Sequence, residues 1–407
     1  MDYIYYKSNA VKILKYFFKW LFLALIVGIP VGAVSAVFLR LLSIATELRT
    51  SNSWLFYILP LGGALVSYCY KYYGKNSILG NNLVLSQAAG GDEDIPLILL
   101  PLTLFGTVAS HLFGASVGRE GTAVQMGGAI SNAIWNIFKL DCDDRKILIR
   151  CGVSAGFSSV FGTPLAGTLF GLEVPSSGQI RPDSLIPCLF SAFFANTTAL
   201  LLGTNHKLYK IGNIPEINPA LFAKLIVSGI IFGITGFIFI HSVRLAKSLY
   251  STYIKDPILR SFIGGIVIIL FVLAISSRDY IGLGLPLLDK AFTGENNPLA
   301  FVIKLLLTAL SLGAGFQGGE VTPLFVIGAT LGSTLSNLLS LPTSFLAALG
   351  YIGVFSAATN APITCFIMGI ELFGGSGCEY MFLICVLSFF FSGHRSIYSL
   401  RKTDVQK

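Results

Sequence analysis

The sequence predicts an all-α integral membrane protein, built from two related halves with many broken or re-entrant helices. Three observations carry this reading: a composition too apolar for a soluble domain, a mixture of long and half-length apolar runs, and motifs that recur in the second half. Of the 407 residues, 54% are hydrophobic and 12% are charged, with a mean hydropathy of +0.75. Soluble domains carry about 25% charged residues.

A spanning helix needs about 20 apolar residues. Runs at 16–46, 54–73, 95–113, 219–241 and 257–276 meet that length, as does 378–392 with modest extension. Others are shorter and interrupted by glycine or proline: 122–138, 147–161, 164–174, 322–338 and 362–373. Irregular backbone at membrane depth survives where protein buries it or where it lines a polar cavity. So many half-length segments predict an internal pathway. The whole chain, 1–407, reads as one transmembrane domain with no soluble regulatory domain.

The formal net charge of +8 does not point to nucleic acid, because the basic residues flank the spans. Lys7, Lys12, Lys15 and Lys19 precede or open the first run, and Arg395, Arg401, Lys402 and Lys407 follow the last. Flanking positive charge sets topology, so both termini are expected in the cytoplasm. The first apolar run, Tyr16 to Ala45, is too long for the h-region of a cleaved signal. Seven cysteines show no CxxC pairing and read as small apolar filler. No metal and no cofactor are expected.

Internal repetition is the next signal. "TPLAGTLFGLEV" (163–174) resembles "APITCFIMGIEL" (361–372); in each, a proline precedes a glutamate by nine residues, Pro164 to Glu173 and Pro362 to Glu371. "GREGTAVQMGGA" (118–129) lies over "GGEVTPLFVIGA" (318–329), and "GNNLV" (80–84) over "GLGLP" (282–286). The matches keep one order and nearly constant spacing, which predicts a duplication with approximate repeats at 16–203 and 219–398. Short, interrupted segments at corresponding positions of two halves mark a transporter's binding site. Helix N-termini meeting there present free N–H groups and favour anions. These features leave the relative orientation of the halves open.

In "VGREGTAVQMGG" (117–128), Gly118 and Gly121 allow a tight turn, and the run from Thr122 reads as a helix whose N-terminus faces that turn. Glu120 then sits beside a nest of donors, and a carboxylate inside a membrane is a functional candidate. Arg119 reads as a structural salt-bridge partner that adds positive potential. Glu320 occupies the matching place in the second half, either as a buried capping carboxylate or as part of the transport site. Glu173 and Glu371 end apolar segments and read as structural. Asn81 could be a plain turn residue or an amide donor at the start of a broken helix. Tyr398 could be an interfacial belt residue or a hydroxyl donor. An intramembrane enzyme is a remote alternative: "GFSS" (156–159) faintly resembles a rhomboid serine motif with His111 or His241 as base, but small residues that let helices pack closely are the simpler reading.

Together "GREG" (118–121), "GGEVTP" (318–323) and "NAPIT" (360–364) resemble the signature motifs of the CLC chloride channel and transporter family. The resemblance implies a CLC-like fold with two inverted repeats, a homodimer in membrane lipid, and one anion pathway per subunit. It implies that Glu120 is a gate that occupies an anion site when ionised and leaves it when protonated. It also implies an anion-binding set of Asn81, Gly118, Arg119, Glu120, Gly121, Glu320, Val321, Thr322 and Tyr398. The chain departs from the chloride-transporting pattern: Asn81 stands at the family's serine, "GREGT" replaces "GREGP", and Val174 stands at the inner proton-relay glutamate. These departures resemble the bacterial fluoride/proton antiporter branch. The resemblance thus implies that fluoride and protons are the partners, that the bacterial cytoplasmic membrane is the location, and that transport rather than enzymatic turnover is the activity. A chloride/proton antiporter or a passive anion channel of the same family is the alternative.

Overall fold

The computed structural model describes residues 2–175, 182–393 and 396–398, with side chains from Val11 onward. Arg395, Arg401, Lys402, Lys407 and the side chain of Lys7 lie outside the described residues. Among those described there are sixteen α-helices. The first eight are α1 (Asp2–Ser51), α2 (Leu59–Tyr73), α3 (Asn81–Ala88), α4 (Leu99–Phe113), α5 (Glu120–Phe138), α6 (Cys142–Phe161), α7 (Pro164–Glu173) and α8 (Leu185–Leu201). The second eight are α9 (Pro219–Tyr253), α10 (Pro257–Ile275), α11 (Leu285–Thr293), α12 (Ala300–Ala314), α13 (Val321–Leu339), α14 (Thr343–Thr359), α15 (Pro362–Phe373) and α16 (Cys378–Phe391).

Helix boundaries follow local chemistry. Asp141, Asn218 and Asp256 precede α6, α9 and α10, and each side chain accepts a hydrogen bond from a first-turn N–H, at 2.7, 2.8 and 2.7 Å. Such caps satisfy donors that the helix leaves free. Gly114 and Gly315 end α4 and α12 with φ of 92° and 96°, a left-handed stop that glycine adopts without penalty.

Among the described residues, six stretches are long and apolar enough to cross a membrane: 11–51, 53–73, 182–201, 219–253, 257–275 and 321–339. Two expectations are corrected here. The runs 95–113 and 378–392 form helices of only 15 and 14 residues, because Pro96 precedes a late start in the first and the Gly374–Gly377 turn blocks extension of the second. Conversely, 122–138, 147–161 and 322–338 belong to helices of 19, 20 and 19 residues. Polar residues such as Glu120 and Asp143 open the first two, so an apolar count misses their first turns. Lys19 is not simply a topology marker: it pairs with Asp144 at 2.5 Å.

Small residues bring helices together at backbone distance. A Cβ on Gly127 would lie 2.0 Å from Gly152 O, joining α5 to α6. In the second half a Cβ on Gly328 would lie 2.1 Å from Gly350 O, joining α13 to α14. Without a hydrophobic drive between helices in lipid, such close approach carries the packing. Gly328→Ala should therefore lower the thermal midpoint in detergent, with an overpacking cost of about 1–3 kcal/mol. An unchanged midpoint would show that these two helices have slack.

"GFSS" serves the same packing. A Cβ on Gly156 would meet Ala123 O at 2.3 Å, and Ser158 Oγ donates to Ala192 O at 2.9 Å. Ser159 Oγ donates to Ser35 Oγ at 2.8 Å. Nδ1 of His111 and of His241 lie 2.9 Å from carbonyls one turn earlier in their own helices.

Two glutamates tie the halves together reciprocally. Glu173, at the end of α7, accepts from Ile363 N (3.3 Å), Thr364 N (2.8 Å) and Thr364 Oγ1 (2.6 Å) at the start of α15. Glu371, near the end of α15, accepts from Leu165 N (2.9 Å) and Ala166 N (2.8 Å) at the start of α7. Each carboxylate complements the positive end of the opposite helix. This is the structural role read from the sequence, and it explains the recurring nine-residue spacing. Glu173 is buried and Glu371 half-buried, so Glu173→Ala should cost more. We expect about 1–3 kcal/mol, the penalty for stranding buried donors, read as a lower melting midpoint. A larger loss from Glu371→Ala would contradict that ordering.

Candidate anion site

The two signature loops meet at the centre of the molecule. Gly118 N donates to Gly319 O at 2.6 Å and Gly319 N donates to Gly118 O at 2.9 Å, an isolated antiparallel bridge. The bridge sets the N-termini of α5 and α13 face to face. Glu120, the first residue of α5, is 1% exposed. Its Oε1 accepts from Val321 N at 2.6 Å. Its Oε2 accepts from Arg119 N at 2.9 Å, Thr322 Oγ1 at 3.0 Å and Thr322 N at 3.3 Å.

This geometry corrects one expectation. The donors around Glu120 come mainly from α13 of the opposite half, not from the turn between Gly118 and Gly121. The reason is the bridge, which points the carboxylate across the seam. Gly319 makes the crossing possible, because a Cβ there would sit 1.9 Å from Glu120 Oε1. Gly118 is constrained alike, its Cβ position lying 2.6 Å from both carboxylate oxygens.

Glu320 holds the N-cap position of α13 but makes no capping hydrogen bond, and its Oε2 is buried without a partner among the described residues. That overturns the capping reading. Thr322 N, the donor a cap would take, already serves Glu120, and Pro323 at the next position has no N–H to offer. Arg119 makes no ion pair among the described residues. Its guanidinium lies over the Phe161 ring, 5.9 Å from the centroid, in place of the expected salt bridge; an arginine can be held on an aromatic face by the ring quadrupole.

Asn81 opens α3 and reaches the seam. Its Oδ1 accepts from Gln125 Nε2 at 3.2 Å, which leaves Nδ2 turned to Gly121, 2.5 Å from where a Cβ would stand. The plain-turn reading fails, because the side chain is packed and oriented. Tyr398 is 7% exposed, too buried for an interfacial belt. Its ring meets Phe170 edge-on at 6.3 Å, and it lies within electrostatic range of Glu320 and Glu120. Val174, at the inner relay position, is buried and offers no acid.

Two groups escaped the sequence reading. Gln125, which orients Asn81, lies one turn after Gly121 on α5, and that spacing was its only signal. The other is an aromatic column along the seam. Phe170 stacks on Phe157 at 4.2 Å, and Phe325 stacks on Tyr351 at 4.0 Å. Phe355 lies 5.0 Å from Phe325 and 6.4 Å from Phe157. The rings come from four helices of both halves, so no local pattern announces them.

Chemically, the seam is a set of N–H and O–H donors closed around the Glu120 carboxyl group. Any anion replacing the carboxylate would meet the same donors.

Comparison with known proteins gives the family. The family model described as "Voltage gated chloride channel" matches residues 62–393. A chloride/fluoride channel protein of Pseudomonas syringae pv. tomato is 40% identical over 407 residues, covering 98% of this chain and 90% of its own. The H(+)/Cl(-) exchange transporter ClcA of Vibrio cholerae is 26% identical, covering 87% and 82%. The crystal structure of a CLC-type fluoride/proton antiporter superposes with a TM-score of 0.92 at 36% identity, covering 94% and 98%. A slow cyanobacterial Cl-/H+ antiporter matches in fold, with a TM-score of 0.81 at 20% identity over 93% and 96%. Helix order, signature loops and these matches converge: the chain is an integral membrane protein with a CLC fold, and it belongs to the voltage-gated chloride channel (CLC) family.

Proposed function

We propose that the protein is a fluoride/proton antiporter that exports fluoride, with Glu120 as both gate and proton carrier. The single observation that carries the reading is the carboxylate of Glu120 seated on the N–H groups of Val321 and Thr322. Ionised, it occupies an anion site. Protonated, it loses the charge that holds it there, and an incoming anion takes the donors. Each anion is thereby tied to one protonation of the glutamate, which gives opposite movement with one proton per ion. The similar chloride/fluoride channel protein and the similar fluoride/proton antiporter structure support fluoride as the anion.

The anion-binding set is Asn81, Gly118, Arg119, Glu120, Gly121, Glu320, Val321, Thr322 and Tyr398. Fluoride is small and a strong acceptor, so it needs good donors in place of its water. An oriented amide from Asn81 and the hydroxyl of Thr322 fit that demand. Val174 leaves the proton without an inner acid. Glu173, one residue earlier, is held by its three bonds to α15. Protons then share the route of Glu120. The repeats are 16–203 and 219–398, of opposite orientation, in a homodimer of the bacterial cytoplasmic membrane with both termini in the cytoplasm.

The test is efflux from proteoliposomes followed with fluoride- and chloride-selective electrodes. Fluoride efflux well above chloride efflux is expected. Equal rates, or faster chloride, would favour the chloride/proton antiporter instead.

A further inference from the structure

A separate cavity of about 920 Å³ opens beside the seam, with Arg119 in its wall. Arg40, Arg49 and Arg278 also line it, against two acids, Glu47 and Asp279. Asp279 is already paired with Lys290 at 2.7 Å, so the cavity carries excess positive charge. Its floor is the segment that leads into α11. There Gly282 and Gly284 adopt φ of 62° and 77°.

Two basic side chains reach this segment. Arg49 Nη2 lies 2.9 Å from where a Cβ of Gly282 would stand. Lys304 of α12 is fully buried, and its Nζ donates to Tyr280 O at 2.9 Å and Gly282 O at 2.8 Å. No carboxylate pairs with Lys304 among the described residues. The lysine thus occupies two carbonyls of this segment, and it does so from outside the lining of the cavity. Among the described residues, the N–H groups of Gly282, Leu283 and Gly284 donate no hydrogen bond.

Three amides without an acceptor, a helix N-terminus and a wall of guanidinium groups, with a buried lysine rather than a carboxylate behind the segment, all favour the same occupant. We propose that this floor is a second anion site, distinct from the Glu120 seam, which takes a small monovalent anion and loads it towards Arg119. Only the loading step rests on the anion-transport reading; binding at the floor does not depend on proton coupling.

Anomalous diffraction from crystals of the full chain soaked in bromide tests the site directly. A bromide peak against the amides at 282–285, absent from Leu283→Glu, is the expected result; no peak there in the wild-type protein overturns the proposal. Leu283 lines the cavity and is half-buried, so the glutamate can be accommodated while setting a like charge at the site. In proteoliposomes the same variant should raise the half-saturating anion concentration on the cavity side by about tenfold. An unchanged half-saturation overturns the loading step. The vestibule peak should persist in Glu120→Gln, so failure of the coupling reading and failure of this site are read separately.

Discussion

Glu120→Gln is expected to abolish proton movement driven by a fluoride gradient while fluoride movement continues. Glutamine keeps the size of the side chain and can still accept from Val321 N through its carbonyl oxygen, but its NH2 then faces the Thr322 and Arg119 donors that Oε2 now serves. It carries no charge at any pH, so it neither competes with an anion as a carboxylate does nor picks up a proton. Hydrogen bonds to a charged group are worth about 1.5–3 kcal/mol each, against about 0.5–1.5 kcal/mol for neutral ones. The amide is therefore held far more weakly on donors that the structure closes around a carboxylate. Proton flux recorded with a pH electrode beside fluoride flux gives the answer. A full proton response in the variant would remove Glu120 from the coupling step.

Asn81→Ser should reduce the preference for fluoride over chloride, by about tenfold if one charge-assisted hydrogen bond is lost. The structure supplies the reason. Gln125 fixes the amide of Asn81 by donating from Nε2 to Oδ1, so Nδ2 arrives at Gly121 already oriented. A serine hydroxyl is shorter and loses that support. Fluoride, the more strongly hydrated ion, suffers more than chloride from a missing donor, and selectivity is the difference of the two affinities. Paired electrode measurements of both anions test this. A slower rate with an unchanged fluoride-to-chloride ratio would remove Asn81 from selectivity.

Much of this was legible in the sequence because it resides in local chemistry. Prolines at 164 and 362, with a glutamate nine residues after each, and the paired glycine motifs at 118 and 318 made the duplication and its broken helices visible. The reciprocal capping by Glu173 and Glu371 is the physical content of that repeat. Helix length was less legible, because a polar first turn such as Cys142-Asp143-Asp144 belongs to the helix but not to the apolar run. Contacts across the seam were hidden for a different reason. Glu120 meets residues 321 and 322, and the Gly118–Gly319 bridge that places it there joins points about 200 residues apart. Single-residue reasoning put the donors in the nearest turn and gave Arg119 a salt bridge. The fold gave the first to α13 and the second to an aromatic face.

The central claim is that fluoride and protons move in opposite directions through one glutamate. It is tested most directly by wild-type protein in liposomes loaded with fluoride, diluted into fluoride-free medium at equal pH with the membrane voltage clamped by a potassium ionophore. Proton uptake should follow fluoride efflux with one proton per ion, at a reversal condition that shifts when a pH gradient is imposed. Fluoride efflux with no proton uptake, at a reversal condition indifferent to pH, would contradict it and leave a passive fluoride channel.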